Sequence, residues 1–238
     1  MERDRGAGAV LIRAIRTVAE TGSTNADLLA QTDTPEGAWL RAERQTSGRG
    51  RQGRAWHSPP GNLYASTLVR VRPADPGAAT LALVAAVALR EAVGLGTIKW
   101  PNDLLIDGAK LAGILLERSG DAVVAGFGVN VAQAPVLPGR ATTSLRAHGL
   151  RIEADALVER LADRFARWLA RWREPALGAV AKAWSAYAHP IGTELSVDLP
   201  DGSRVRGRFD GIAPDGALTL RLAAGERRII HAGDVFQV

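Results

Sequence analysis

Between Arg44 and Trp56 the chain reads R-Q-T-S-G-R-G-R-Q-G-R-A-W, and the flanks of that stretch constrain the fold more than any other feature. Gly48, Gly50 and Gly53 alternate with Arg49, Arg51 and Arg54. Glycine lets consecutive backbone N–H groups face one concave side, and arginine adds planar forks of donors, so such a loop suits an anion. Residues Ala38 to Glu43 before it read as a strand; Ser58-Pro-Pro-Gly-Asn62 after it is a turn, followed by a second strand from Leu63 to Val71. A dinucleotide fingerprint needs a helix directly after its glycines, and a P-loop needs Lys and Ser/Thr where Arg54 and Ala55 stand, so both readings fail. A kinase glycine-rich loop also lies between strands, but no H-R-D or D-F-G follows. Taken alone, the stretch reads equally well as a solvated basic turn.

The rest of the chain alternates strand and helix signals. Ala9 to Ala19 reads as a first strand, and Ser23 or Thr24 caps a helix that buries Leu28 and Leu29. Thr32 to Gly37 is a loop. Pro76 to Val93 reads as an apolar helix, with Pro76 near its first turn and Gly94 just past its end. Thr97 to Trp100 is short and extended. Leu104 to Ile106 and Lys110 to Glu117 form a hairpin about Asp107-Gly108, and Ala122 to Val131 is a further strand. The stretch from Ala132 to Leu150 has little periodicity and reads as a functional or mobile loop. Leu157, Leu161, Phe165, Trp168, Leu169 and Trp172 recur at helical spacing, and a second helix runs from about Ala176 to Tyr187. Beyond His189-Pro190 short alternating strands are separated by Pro200-Asp-Gly, Pro214-Asp-Gly and Ala224-Gly-Glu. The fold class is therefore α+β over residues 1–189, with a small β-barrel over residues 190–238.

Composition narrows the function. The chain has 238 residues, 46% of them hydrophobic and 23% charged, as in globular proteins. It has no cysteine, which excludes disulfides, thiolate metal sites and cysteine nucleophiles and fits a reducing, cytoplasmic setting. The first residues carry charges of both signs and no apolar signal core, and Ala78 to Leu89, the longest apolar run, is too short to span a bilayer. Thirty basic residues against 25 acidic ones give a net charge of +5, but Arg and Asp/Glu are interspersed, so charge gives little support to nucleic-acid binding. Lys99, Lys110 and Lys182 are the sole lysines in an arginine-rich chain. A lysine retained against that bias points to a need for a compact ammonium.

Two of those lysines frame a second constellation, Lys99-Trp-Pro-Asn-Asp103 and Lys110-Leu-Ala-Gly-Ile-Leu-Leu-Glu117. Asn102 and Asp103 behind Pro101 offer oxygen ligands of the kind Mg²⁺ takes beside substrate phosphates. Lys110 opens the next strand within reach of a shared pocket, and Gly113 leaves room for a ligand against the sheet. Taken singly, Asn102-Asp103 also reads as a turn pair and Lys110 as a solvated strand end.

Together with Ser23-Thr24-Asn25, Gln45, the Gly48–Trp56 loop and Gly126-Phe-Gly-Val-Asn130, these segments resemble the bacterial biotin–protein ligases, also called biotin–[acetyl-CoA-carboxylase] ligases. They occur in the family's order and at similar spacing from about residue 18 onward. The resemblance implies a class II synthetase-like catalytic domain with a mixed sheet and helices, and an SH3-like C-terminal barrel. It implies a two-step reaction: ATP activates biotin to biotinyl-5′-AMP, and a lysine of a biotin carboxyl carrier protein then takes the biotinyl group. By position, Ser23, Thr24, Asn25 and Gln45 would hold the biotin head group. Arg49, Gly50 and Arg51 would close over biotin and phosphates, with Lys110 on the carboxylate and anhydride oxygens and Gly113 beside the biotin. Arg51, Arg54, Trp56, Lys99, Asn102, Asp103 and Asn130 would serve the nucleotide, and Asp103 the Mg²⁺. Lys110 and Arg51 are the expected catalytic pair.

Many family members begin with a helix-turn-helix domain of some sixty residues. Only 22 residues precede Ser23 here, so the expectation is a monofunctional ligase, cytoplasmic, without DNA or membrane partners, as monomer or homodimer. A lipoate–protein ligase of the same superfamily is the alternative acyl specificity. A basic nucleic-acid-binding module is the alternative of another class.

Overall fold

A computed structural model describes residues 14–31, 33–174 and 178–238. Its larger sheet has seven strands in the order β1-β2-β3-β7-β6-β5-β4. They are β1 (Ile15–Thr21), β2 (Trp39–Gln45), β3 (Leu63–Arg70), β4 (Thr97–Lys99), β5 (Asp103–Ile106), β6 (Ala109–Ser119) and β7 (Ala122–Val129). β1 and β2 are parallel and every other pair is antiparallel, so the sheet is mixed. Helices α1 (Thr24–Ala30), α2 (Leu81–Val93), α3 (Ala154–Trp172) and α4 (Gly178–Tyr187) complete this part.

Side chains alternate across a strand, and here that alternation separates a core face from a site face. On β3 and β7, Leu63, Ala65, Val69, Val123, Ala125, Phe127 and Val129 pack with α2 and α3. Trp39 stacks on Phe127 at 5.7 Å between centroids, and Phe165 of α3 meets both edge-on at 5.9 and 6.0 Å. The opposite face carries Leu40, Leu68 and Val124 under Leu28 of α1. Between α1 and the strands, that second face turns polar and glycine-rich, and the site lies there.

The smaller sheet is antiparallel, ordered β11-β10-β9-β8-β12, from β8 (Glu194–Asp198), β9 (Arg204–Ile212), β10 (Leu218–Arg221), β11 (Arg227–Ile230) and β12 (Asp234–Gln237). Its Leu195, Val197, Phe209 and Leu220 join the same apolar cluster as the larger sheet. Trp184 of α4 lies 6.3 Å from Phe209, and Trp100 Nε1 donates to Gly216 O at 3.0 Å. The α+β class with an antiparallel C-terminal sheet is as the sequence implies.

Several boundaries differ. β1 starts at Ile15; residues 9–13 of the expected first strand lie outside the described residues, as do Thr32 of the expected loop and residues 175–177, where the last helix was expected to begin. The apolar helix starts at Leu81 rather than Pro76. Gly77, at φ −52° and ψ 127°, is not helical, and Thr80 donates to Gly77 O through both its backbone N–H at 2.9 Å and its Oγ1 at 2.7 Å, closing a 3₁₀ turn over Ala78–Thr80 before the α-helix begins. Gly94, left-handed at φ 87°, ends it. Asp107 and Gly108 both take positive φ, 49° and 78°, as a two-residue hairpin turn requires.

Candidate active site

One cleft of about 280 Å³ lies between α1, the Gly/Arg loop, strands β5–β7 and the segment after β7. The start of α1 supplies Ser23, Thr24 and Asn25. Ser23 is the N-cap, its Oγ accepting from Ala26 N at 3.4 Å, so the cap presents Thr24 and Asn25 to the sheet in the first turn. Both are buried, at 3% and 4% exposure. Thr24 N and Oγ1 face Gln45 Oε1 at 2.9 and 3.1 Å, which fixes Gln45 at the end of β2. Thr24 Oγ1 lies 2.6 Å from Ser66 Oγ, which donates to Asn25 Oδ1 at 2.6 Å.

The floor is built of glycine because two side chains occupy the space a Cβ would take. A Cβ on Gly126 would overlap the Asn25 carboxamide, and one on Gly128 the Trp56 indole. A Cβ on Gly113 would stand 3.0 Å from the same indole. Trp56 therefore lies flat on β6 and β7 as an apolar wall. Its Nε1 is buried and without a hydrogen-bond partner.

At the other end, Lys110 Nζ donates to Asp103 Oδ1 at 2.6 Å and stands 5.4 Å from the Trp56 ring centroid. Both side chains are nearly buried, 13% and 10% exposed. Neighbouring strands carry the pair: Asp103 opens β5 opposite Gly113, and Lys110 of β6 stands opposite Leu105, so the Lys110 side chain reaches along the sheet to Asp103. Asn102 lines the cleft too, its Nδ2 donating to Ile114 O at 2.7 Å, so it also ties the β4–β5 turn to β6.

The Gly/Arg loop bends back on itself at the edge of the cleft. Arg49 bridges to Ala55, and Gly50 N donates to Arg54 O at 2.7 Å. Arg51 to Gly53 form one tight turn, with Gln52 at φ 57°. Arg49, Gly50, Arg51 and Arg54 line the cleft. The loop's carboxylate partner comes from the C-terminal sheet: Arg54 pairs with Asp234 at 2.7 Å and Arg51 stands 3.7 Å from it, while Arg51 also donates to Gly233 O at 3.4 Å. Burial pushes the Asp234 carboxyl up, but Arg54 and Arg51 outweigh it and hold it below the usual carboxylate range.

The stretch expected as a loop after β7 is tied down at several points. Asn62 Oδ1 accepts from the backbone N–H of Val131, Ala132 and Gln133 at 2.9, 2.9 and 3.2 Å. Further on, Lys110 N donates to Ala141 O and Thr143 N to Lys110 O, at 2.9 and 3.0 Å. Asn130 is 2% exposed and its Nδ2 donates to Thr143 O at 3.0 Å. It thus links this segment to the strand that carries Lys110.

Of the residues the resemblance assigns to biotin, nucleotide or metal, Lys99 alone does not line the cleft. Its ammonium lies 5.3 Å from the Phe236 ring centroid, between the two sheets. Burial lowers its pKa, with Asp103 acting in the opposite sense. The sequence reading missed Ser66 and Glu117, which hold the Asn25 carboxamide (Asn25 Nδ2 donates to Glu117 Oε2 at 2.7 Å), and Asp234, which lines the cleft. Ser66 and Glu117 sit in ordinary strand patterns; their signal was their position on the glycine-rich face. Asp234 gave no local signal.

Matching to family models gives two results: residues 14–132 match "Biotin/lipoate A/B protein ligase family" and residues 194–237 match "Biotin protein ligase C terminal domain". The biotin–[acetyl-CoA-carboxylase] ligase of Paracoccus denitrificans is 39% identical over 92% of this chain and 98% of its own length. The ligase of the same name from Mycobacterium tuberculosis is 37% identical over 94% and 88%. Among solved structures, the Aquifex aeolicus biotin protein ligase in complex with biotin and ATP superimposes with a TM-score of 0.83 at 24% identity, over 94% of this chain and 99% of that one, a likeness of fold.

Proposed function

The chain belongs to the biotin protein ligases of the biotin/lipoate ligase family, and from that premise we propose how its cleft works. It is a biotin–[acetyl-CoA-carboxylase] ligase. The biotin carboxylate attacks the α-phosphorus of ATP and pyrophosphate leaves, giving biotinyl-5′-AMP. The amine of a carrier-protein lysine then attacks the acyl carbon, AMP leaves, and the nitrogen loses a proton.

The observation that carries the assignment of roles is the cleft's division into two ends. At one, buried Thr24, Ser66 and Asn25 and half-buried Gln45 form a hydrogen-bonded set beside the apolar Trp56 wall. That pairing of polar head and apolar wall suits a ureido ring carried on a thioether bicycle and alkyl chain. At the other, Lys110, Arg49, Arg51 and Arg54 concentrate positive charge where a carboxylate and a triphosphate must meet. Positive charges gathered in a partly dehydrated cleft stabilise such an anionic transition state. Lys110 holds the carboxylate oxygens and then the anhydride, and Arg51 the phosphate. The Gly/Arg loop and the anchored segment after β7 shield the adenylate from water.

Magnesium fits this donor set as an ion brought in on the nucleotide. Among the described residues no group of three His, Asp or Glu forms a metal cage, whereas Asp103 and Asp234 are the carboxylates that line the cleft, Asp103 beside Lys110 and Asp234 beside Arg54. Mg²⁺ favours one or two carboxylates plus phosphate oxygens. When bound with ATP it would be held by Asp103 and would neutralise phosphate charge.

The acceptor is a biotin carboxyl carrier domain of a biotin-dependent carboxylase, modified in the cytoplasm by the enzyme as a monomer or homodimer. Among the described residues no helix is long and apolar enough to cross a membrane. Biotin is preferred over lipoate because the head end offers hydrogen-bonding groups that a dithiolane cannot use. Thermal shifts test that choice: biotin raises Tm and lipoate does not, and stabilisation by lipoate alone overturns it.

A further inference from the structure

We infer that Glu117, four strand positions beyond Gly113, fixes the hydrogen-bond polarity of the head-group pocket and makes Thr24 meet the ligand as an acceptor. The inference rests on the biotin reading of that pocket.

Glu117 follows Gly113 and Leu115 on the site face of β6. Its carboxylate has no salt bridge among the described residues; Oε2 accepts from Asn25 Nδ2 at 2.7 Å. An ionised carboxylate only accepts. The second neighbour of Nδ2 is Leu115 O at 3.3 Å, also an acceptor. Two acceptors on one side settle which way the buried amide faces: the NH₂ turns to Glu117 and Oδ1 turns to Ser66.

From there the protons can be counted. Ser66 has one hydroxyl proton, and Asn25 Oδ1 at 2.6 Å takes it. The 2.6 Å contact between Ser66 and Thr24 is then a hydrogen bond only if Thr24 donates. That uses the single proton of Thr24, so Gln45 Oε1 receives the Thr24 backbone N–H at 2.9 Å and not the hydroxyl. Thr24 Oγ1 is left with acceptor capacity on a residue that is 3% exposed and lines the cleft. A ligand N–H satisfies it; a ligand carbonyl at that point meets a lone pair. Discrimination is strong where a buried polar group would otherwise stay unpaired. Reverse the amide of Asn25 and each donor along the row reverses with it. Glu117 is therefore a positioning residue that acts on the ligand through three side chains.

Exchanging the two partners tests the polarity itself. In Asn25→Asp, two carboxylates face one another and the row loses its donor to position 117. In Asn25→Asp with Glu117→Gln, the glutamine NH₂ donates to the new carboxylate, which still accepts from Ser66. The original polarity returns with the charges swapped. Biotin Kd by titration calorimetry and the KM for ATP in pyrophosphate exchange are the readouts. We expect N25D to weaken biotin by at least ~10-fold and the double variant to recover most of that loss. E117M, which removes the acceptor at similar length, weakens biotin by ~10-fold or more with a much smaller change in the ATP KM, and E117Q weakens it less than E117M because its carbonyl still accepts. A double variant no tighter than N25D, or losses of equal size on biotin and ATP, overturns the inference. If E117M does not fold, the N25D pair decides it. A wild-type protein that binds no biotin fails the functional reading; a wild type that binds biotin beside an unaffected E117M fails this inference alone.

Discussion

Replacing Lys110 by Met separates what the ammonium does for the fold from what it does for the reaction. Lys110 and Asp103 are 13% and 10% exposed and 2.6 Å apart. Removing one member of a buried pair strands the other, at a cost of roughly 3–5 kcal/mol. The cleft admits water to the Asp103 side, which points to the lower half, about 3–4 kcal/mol. At roughly 2–4 °C per kcal/mol for a chain of this size, Tm falls by ~6–16 °C. Lys110→Met with Asp103→Asn leaves no stranded charge, so most of that fall is recovered. The reaction responds differently. Loss of one positively charged contact to a developing anion lowers the rate by ~100-fold or more, measured for K110M as biotin-dependent exchange of pyrophosphate into ATP at a temperature where circular dichroism shows it folded. A K110M protein with near-normal exchange removes Lys110 from the site. A double variant as unstable as K110M refutes the stranded-charge argument.

Three further outcomes follow. Arg51→Gly speeds loss of the adenylate by at least ~10-fold, since it removes a charge-assisted contact, while leaving biotin affinity less changed; filter retention of labelled biotinyl-5′-AMP measures it, and equal losses make Arg51 structural. Gly128→Ala drives a Cβ into the Trp56 indole; overpacking of ~1–3 kcal/mol lowers Tm by a few degrees and weakens biotin as the wall moves, and unchanged biotin affinity contradicts the wall. Glu36 is held below the usual carboxylate range first by its hydrogen bonds from Arg173, against burial, which acts the other way. Its folded pKa lies below its unfolded one, so its stabilisation is complete above pH 4.5 and lost as pH falls through the folded value. Glu36→Gln consequently flattens the decline of Tm below pH 4.5, and an unchanged acid limb in differential scanning calorimetry rules this contribution out.

The parts of this fold that read from sequence are those set by local geometry. The Asp107-Gly108 turn, the Gly94 cap and the apolar stripe of α3 each follow from neighbours a few residues apart. Alternation on β7 is also legible, since Gly126 and Gly128 interrupt an otherwise apolar strand at period two. What was hidden depends on distance along the chain. Asp234 meets Arg54 across 180 residues, and nothing near Asp234 marks it out. Ser66 and Glu117 look like any strand residues until β3 and β6 are placed beside α1. The start of α2 was misjudged for a subtler reason: proline tolerance at a helix start pointed to Pro76, but the Thr80 hydroxyl favours a 3₁₀ turn first. Lys99 belongs with the nucleotide residues by its motif alone, and its ammonium lies 5.3 Å from the Phe236 ring centroid, a contact between β4 and β12 that no local pattern marks.

The two-ended cleft makes a single demand on chemistry. Incubated with ATP, Mg²⁺ and labelled pyrophosphate, and with no nucleic acid present, the purified protein incorporates label into ATP when biotin is added and not when it is omitted or replaced by lipoate. Exchange that ignores biotin, or that follows lipoate, contradicts the account.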